Sequence, residues 1–189
     1  MGLTDLRSRC ACGFRSVRLR FIMVVSMMSG IHELGVTAAM RTRFEFDLHT
    51  TATPEQVVEV LTDFSSNRPK RWPALSAKLY RVHRVGDTDA DVQEGQDFPK
   101  FYAIWHYDWS TPGTVTMTVT DSDYAASGGI HSIVATAGHD GGSDVHGIWD
   151  ITAKNTSANI GVAVMRVAGA RFFRVYYRRV LDGVATGTR

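Results

Sequence analysis

Arg43-Phe44-Glu45-Phe46-Asp47-Leu48-His49, with Thr53-Pro54-Glu55-Gln56-Val57 close behind it, is the stretch that decides the fold. Strict alternation puts Phe44, Phe46 and Leu48 on one side of the chain, the mark of a half-buried strand. Thr53 then supplies an N-cap, Pro54 suits the first helical position, and Gln56 completes a capping box. Val57, Val60, Leu61 and Phe64 follow at i, i+3, i+4 and i+7, giving one apolar face. Ser65-Ser66-Asn67 stops this helix and is positioned to cap a second short one carrying Trp72, which Pro73 limits.

Downstream the period changes from 3.6 to 2. Leu79–Val85 and Ala90–Glu94 flank a Gly86-Asp87 turn. Phe101–Trp109 is the most aromatic strand, and Thr111-Pro112-Gly113 turns it into Val115, Met117 and Val119 alternating with threonines. Ile130–Ala137 and Val145–Ile151 flank the His139-Asp140-Gly141-Gly142 hairpin turn. The count is seven strands, with two short helices between the first and second. Ile160, Val164, Val167, Phe172, Val175 and Tyr176 then recur at helical spacing in the longest element. Arg166, Arg171, Arg174, Arg178 and Arg179 supply its basic side, and Gly169 is a weak point that allows a bend.

Seven antiparallel strands make a strongly twisted sheet with one apolar face to cover. One long C-terminal helix closes over that face without filling it, so the expected fold is α+β: a seven-stranded antiparallel sheet wrapped around the helix, with a cavity between them.

Of 189 residues, 44% are hydrophobic and 21% charged, which is ordinary for one globular domain. The net charge of +2 is uneven. Residues 1–39 hold Arg7, Arg9, Arg15, Arg18 and Arg20 against Asp5 and Glu33, leaving the remainder close to neutral. A near-neutral domain without a basic run argues against nucleic acid as a partner. Phe21–Met28 is apolar but far short of the ~20 residues of a membrane span. With the arginines before it and Thr37-Ala38-Ala39 after it, it resembles a signal peptide loosely, although His32 and Glu33 interrupt the pattern. Residues 1–39 are therefore expected to lie outside the fold, as a disordered extension or the product of a misplaced start. Residues 40–185 are expected to form the single domain. The expected compartment is the cytoplasm, with secretion as the alternative if the tail is a genuine signal.

Several segments carry a family resemblance: Phe44-Glu45-Phe46 with the Thr53 capping box, Trp72-Pro73-Ala74-Leu75-Ser76, Tyr80–Gly86 with Ala90–Gly95, and Tyr107-Asp108-Trp109-Ser110-Thr111-Pro112-Gly113. In these, and in their order, the chain from Met40 to about Leu181 resembles the START-like superfamily called SRPBCC. Within it the likeness is to polyketide cyclase/dehydrase-related proteins of actinobacterial type. The resemblance implies a helix-grip fold. It also implies a role among lipid carriers, hormone-binding proteins and aromatic polyketide cyclases, but a fold does not define a site.

On this basis Phe46, Trp105, Tyr107, Met117, Trp149, Met165, Phe172 and Tyr176 are expected to line a pocket for a small apolar, lipid- or polyketide-like ligand. Phe101 and Ala103 lie in line with Trp105, Tyr107 and Trp109. The opposite face of that strand offers Tyr102, His106 and Asp108, and His106 with Asp108 is a candidate acid–base pair if that face turns inward. His131, His146 and Asp150 have no convincing metal spacing. The Cys10-x-Cys12 pair in the tail has no partners to complete a metal site, so no metal or cofactor is expected. No G-x-G-x-x-G, P-loop, H-E-x-x-H or G-x-S-x-G motif occurs in the core, which disfavours dehydrogenase, kinase, metalloprotease and standard hydrolase chemistry. Three functions remain: ligand carrier, polyketide cyclase or dehydratase working by acid–base chemistry in the same cavity, and partner-binding module. The carrier leads. It is expected to be a monomer or homodimer without stable membrane insertion.

Overall fold

A computed structural model describes residues 39–185. The expectations for residues 1–38 fall outside the described residues. The order is β1 (Arg41–Thr50), α1 (Pro54–Thr62), α2 (Arg68–Arg71), β2 (Arg81–Val85), β3 (Asp89–Asp97), β4 (Lys100–Asp108), β5 (Thr114–Ser122), β6 (Ile130–Ala137), β7 (Ser143–Thr152) and α3 (Thr156–Ala185). All seven strands form one antiparallel sheet in the order β1-β7-β6-β5-β4-β3-β2, so β2 to β7 run as a meander and β1 joins beside β7.

The decisive stretch folds as its residues dictate. Phe46, Leu48 and Thr50 are buried and alternate with exposed Glu45, Asp47 and His49. Thr53 Oγ1 accepts from the Gln56 amide at 3.3 Å, while Gln56 Oε1 accepts from the Thr53 amide at 2.9 Å. These two bonds satisfy donors that a helix start otherwise leaves open. The second helix is shorter than its sequence suggests. It is one turn, Trp72 sits just past its end as the C-cap, and Asn67 makes no side-chain cap bond.

β5 carries one extra residue against β4, a bulge between Ile104 and Trp105 that locally bends and twists the sheet. The β6–β7 hairpin closes through Gly138, whose amide donates to the Gly142 carbonyl at 2.8 Å, and Gly141 takes a φ of +86° that favours glycine.

The long helix α3 lies against the inner sheet face, and its buried row is spaced 7, 4, 4 and 3: Val162, Gly169, Phe173, Tyr177 and Val180. This differs by about one residue from the phase the sequence suggests. Phe173 and Tyr177 are buried, Phe172 and Tyr176 flank them half-buried, and Val167 and Val175 are exposed. Gly169 does not end the helix. A Cβ there would come within 2.3 Å of the Phe44 ring, so glycine lets the β1 aromatic rest directly on the helix backbone. α3 packs closely on β1 and much less on the middle strands, which are bridged to it by side chains. Among the described residues, no helix is long and apolar enough to cross a membrane.

Candidate functional site

The inner face of the sheet is organised in cross-strand rows. Ala90, Tyr107, Met117, His131, Trp149 and Phe44 face one another in register across β3, β4, β5, β6, β7 and β1. Because side chains alternate along each strand, the whole row points toward α3. Trp105 begins the neighbouring row and its ring lies 6.0 Å from that of Trp149. The Trp105/Tyr107 face of β4 therefore lines the interior. His106 and Asp108 turn outward, where His106 Nδ1 pairs with Asp91 Oδ1 at 2.8 Å. They form no internal acid–base pair. His146 and Asp150 also face outward, His146 to Asp47 at 2.8 Å and Asp150 to Arg41. Among the described residues no cluster of His, Cys, Asp or Glu could hold a metal.

His131 is the polar member of the row. Its Nδ1 donates to the Ile148 carbonyl at 2.9 Å, which fixes the tautomer and leaves the Nε2 lone pair to accept from the Tyr177 hydroxyl at 2.6 Å. Burial drives the His131 pKa down to about 4, so the ring is neutral at physiological pH. Burial also raises the Tyr177 phenol well above its ordinary value. The result is a neutral, oriented His–Tyr dyad among the Phe46, Trp149 and Phe173 rings, which lie 5.1–6.4 Å from the imidazole.

Tyr107, at the other end of the row, meets a residue the sequence did not single out. Arg68 is almost wholly buried, donating from Nε to Glu94 Oε1 at 2.7 Å and from Nη2 to Tyr107 Oη at 3.0 Å. Its Nη1 caps the end of α1 by donating to the carbonyls of Leu61 at 2.9 Å and Asp63 at 3.2 Å. Phe64, Trp72 and Tyr107 surround the guanidinium at 5.1–5.5 Å from their ring centres. Burial opposes the charge, but Glu94 and Tyr107 outweigh it and hold Arg68 protonated. Nearby, the Tyr80 phenol is pushed up to about 12, mainly by burial. Among the described residues, Tyr80 Oη, Trp72 Nε1 and Trp149 Nε1 are buried and meet no hydrogen-bond partner.

The other expected lining residues are placed as follows. Phe46 lies flat over Gly147, where a Cβ would fall 2.2 Å from the ring, and stacks on Phe173 and Tyr177. Phe172 and Tyr176 stack on each other at 14° and 5.6 Å, and Tyr176 reaches Trp72 at 5.7 Å. Met165 is half-buried on α3 against the same core. The centre of the interior is thus occupied by aromatic side chains. A separate hollow of about 510 Å³ opens on the other side of the sheet near β1, lined by His49, Thr136, His146, Arg174 and Arg178 among others. It is remote in character from the aromatic row, being charged and open to solvent.

No family model matches the chain, and no curated protein matches it in sequence. Solved structures match it in shape. An aromatase/cyclase from Streptomyces, Zhui, superposes with a TM-score of 0.61 at 12% identity, over 78% of this chain and 94% of that one. A START superfamily protein from Mycobacterium smegmatis gives 0.58 at 8% identity, over 78% and 99%. Truncated norcoclaurine synthase from Thalictrum flavum gives 0.59 at 8% identity, over 82% and 100%. This is the START-like helix-grip fold. Identities this low speak for the helix-grip architecture alone, and function rests on the residues of this chain.

Proposed function

We propose that the chain is a cytoplasmic carrier, monomeric or homodimeric, for a small planar aromatic or polyketide-like molecule held between the inner sheet face and α3. The observation that carries this is uneven burial. Trp105, Trp149 and Phe173 keep 7%, 9% and 9% of their surface exposed, whereas Val115, Val119 and Ile133 beside them keep 0%, 0% and 1%. Solvent reaches the connected Trp105, Trp149 and Phe173 rings, while Phe46 and Tyr107, at 1% each, are closed off. Arg166 falls by helical spacing between Val162 and Gly169 on the sheet side of α3 and is exposed, which makes it a candidate cation at the edge of that face. Flat aromatic walls with a few fixed polar groups suit a planar ligand bearing oxygen acceptors. Trp149 Nε1 is a donor such an oxygen would satisfy.

The His131–Tyr177 dyad favours a second function, cyclase or dehydratase chemistry in the same space. A neutral imidazole accepting from a phenol can relay a proton to or from a bound ligand, with the walls enforcing its folding.

Native mass spectrometry of the full chain, with extraction of any bound small molecule, tests the carrier. The expected result is a stoichiometric apolar or aromatic adduct, or uptake of an aromatic probe by empty protein. Protein that is empty and takes up no such probe overturns it.

A further inference from the structure

The outward face of α3 has no role in the interior, yet its composition is unusual for a solvated helix. Ile160, Val167, Arg171, Arg174, Val175 and Arg178 recur at spacings that place them on one solvent-side stripe. Val167 is 90% exposed, Val175 62% and Ile160 37%. α3 contains no acidic residue before Asp182, and Asp182 accepts from Thr50 Oγ1 at 2.8 Å. Among the described residues, Arg166, Arg171, Arg174 and Arg178 enter no ion pair. Arg174 Nε donates to the Asp47 carbonyl at 2.9 Å, which holds its side chain at the β1 edge. The nearby carboxylates of Asp47 and Asp144 are taken by His146 at 2.8 Å and His49 at 2.9 Å.

Exposed arginines outside any described ion pair, interleaved with exposed aliphatic side chains, have one physical complement that uses both. An anionic bilayer surface offers phosphate oxygens to guanidinium groups and a shallow apolar layer to the valines. A polyanion such as nucleic acid would use the arginines but leave Val167 and Val175 in water. We propose that the solvent face of α3 docks the protein reversibly onto anionic membranes, lying on the surface without crossing it. This stands apart from the ligand proposal, since none of the six stripe residues lines the aromatic row.

Sedimentation of the full chain with vesicles of phosphatidylcholine alone, or with a third of phosphatidylglycerol, tests it. Binding is expected to the anionic vesicles only and to weaken steeply with added salt. At about fivefold per arginine, the double variant R171Q/R178Q is expected to bind about 25-fold more weakly. Val167→Ser is expected to weaken binding without a change of charge. Circular dichroism unchanged from the parent would show that both variants fold. No binding to the anionic vesicles, or binding indifferent to R171Q/R178Q, overturns the proposal. So does equal binding to duplex DNA with no effect of Val167→Ser, which would make the stripe a general polyanion surface.

Discussion

His131 Nε2 lies 2.6 Å from Tyr177 Oη, a contact that joins the middle of the sheet to α3 across 46 positions of sequence. With Nδ1 committed to the Ile148 carbonyl, the imidazole has one arrangement that satisfies both nitrogens. Tyr177→Phe removes the donor while keeping the ring, and leaves a buried lone pair unpaired. The expected loss of stability is about 1–3 kcal/mol, read from chemical denaturation. An unchanged midpoint would show that the contact contributes nothing to the fold.

The same histidine gives the protein a defined acid response. In the folded chain His131 takes its proton only near pH 4, while the unfolded chain takes it near pH 6.5. The unfolded state therefore binds more protons between these values, and stability falls as pH drops through that window. The full effect is about 3 kcal/mol. His49 works in the opposite direction, because bonds to Asp144 and Asp140 raise its pKa. Its contribution is present at low pH and lost as pH rises through the folded value, and its exposure keeps it small. Denaturation midpoints from pH 7 to 4.5 are expected to decline in the parent and to flatten in a His131→Phe/Tyr177→Phe double variant. A parallel decline in both would place the acid response elsewhere.

Gly147 and Phe46 face each other across β7 and β1, and the ring occupies the place a Cβ would need. Gly147→Ala is expected to destabilise by about 1–3 kcal/mol through overpacking. Phe46→Leu in the same chain should recover part of that loss, since it frees the volume. Additive losses in the double variant would rule out the steric cause.

Arg68 holds Glu94, Tyr107 and the end of α1 together from a buried position. Arg68→Met leaves Glu94 without its cation, so a loss of about 3–5 kcal/mol is expected. Adding Glu94→Gln removes the orphaned charge and should restore part of it. A double-mutant cycle with no coupling between the two positions would contradict the pairing.

Much of this architecture was written in local pattern. Alternation fixed which β1 residues point inward, and Thr53 with Gln56 marked the start of α1, because both features depend only on near neighbours. Which face of β4 is inside was not legible, since Trp105/Tyr107 and His106/Asp108 alternate on equally regular terms. The phase of α3 was obscured by the doublets Phe172-Phe173 and Tyr176-Tyr177, which offer an aromatic at either of two angles about 100° apart. The approach of Phe44 to Gly169, of Tyr177 to His131 and of Phe173 to Phe46 selects one. Arg68 sits in Asn67-Arg68-Pro69-Lys70-Arg71, a run that reads as solvated surface, and nothing local distinguishes it from its basic neighbours. The dyad was equally hidden, because its partners meet only after the sheet and α3 have come together.

A planar aromatic ligand is proposed to seat against Trp149 and Trp105 beneath α3. This is tested most directly by titrating labelled protein with 9-fluorenone and following the indole N–H signals of its four tryptophans by nuclear magnetic resonance, assigned with single Trp→Phe variants. Saturable shifts of the Trp149 and Trp105 signals are expected, with Trp149 moving downfield as its N–H meets the ketone, and little change at Trp109. Signals that all stay in place, or a response confined to Trp109, would contradict it.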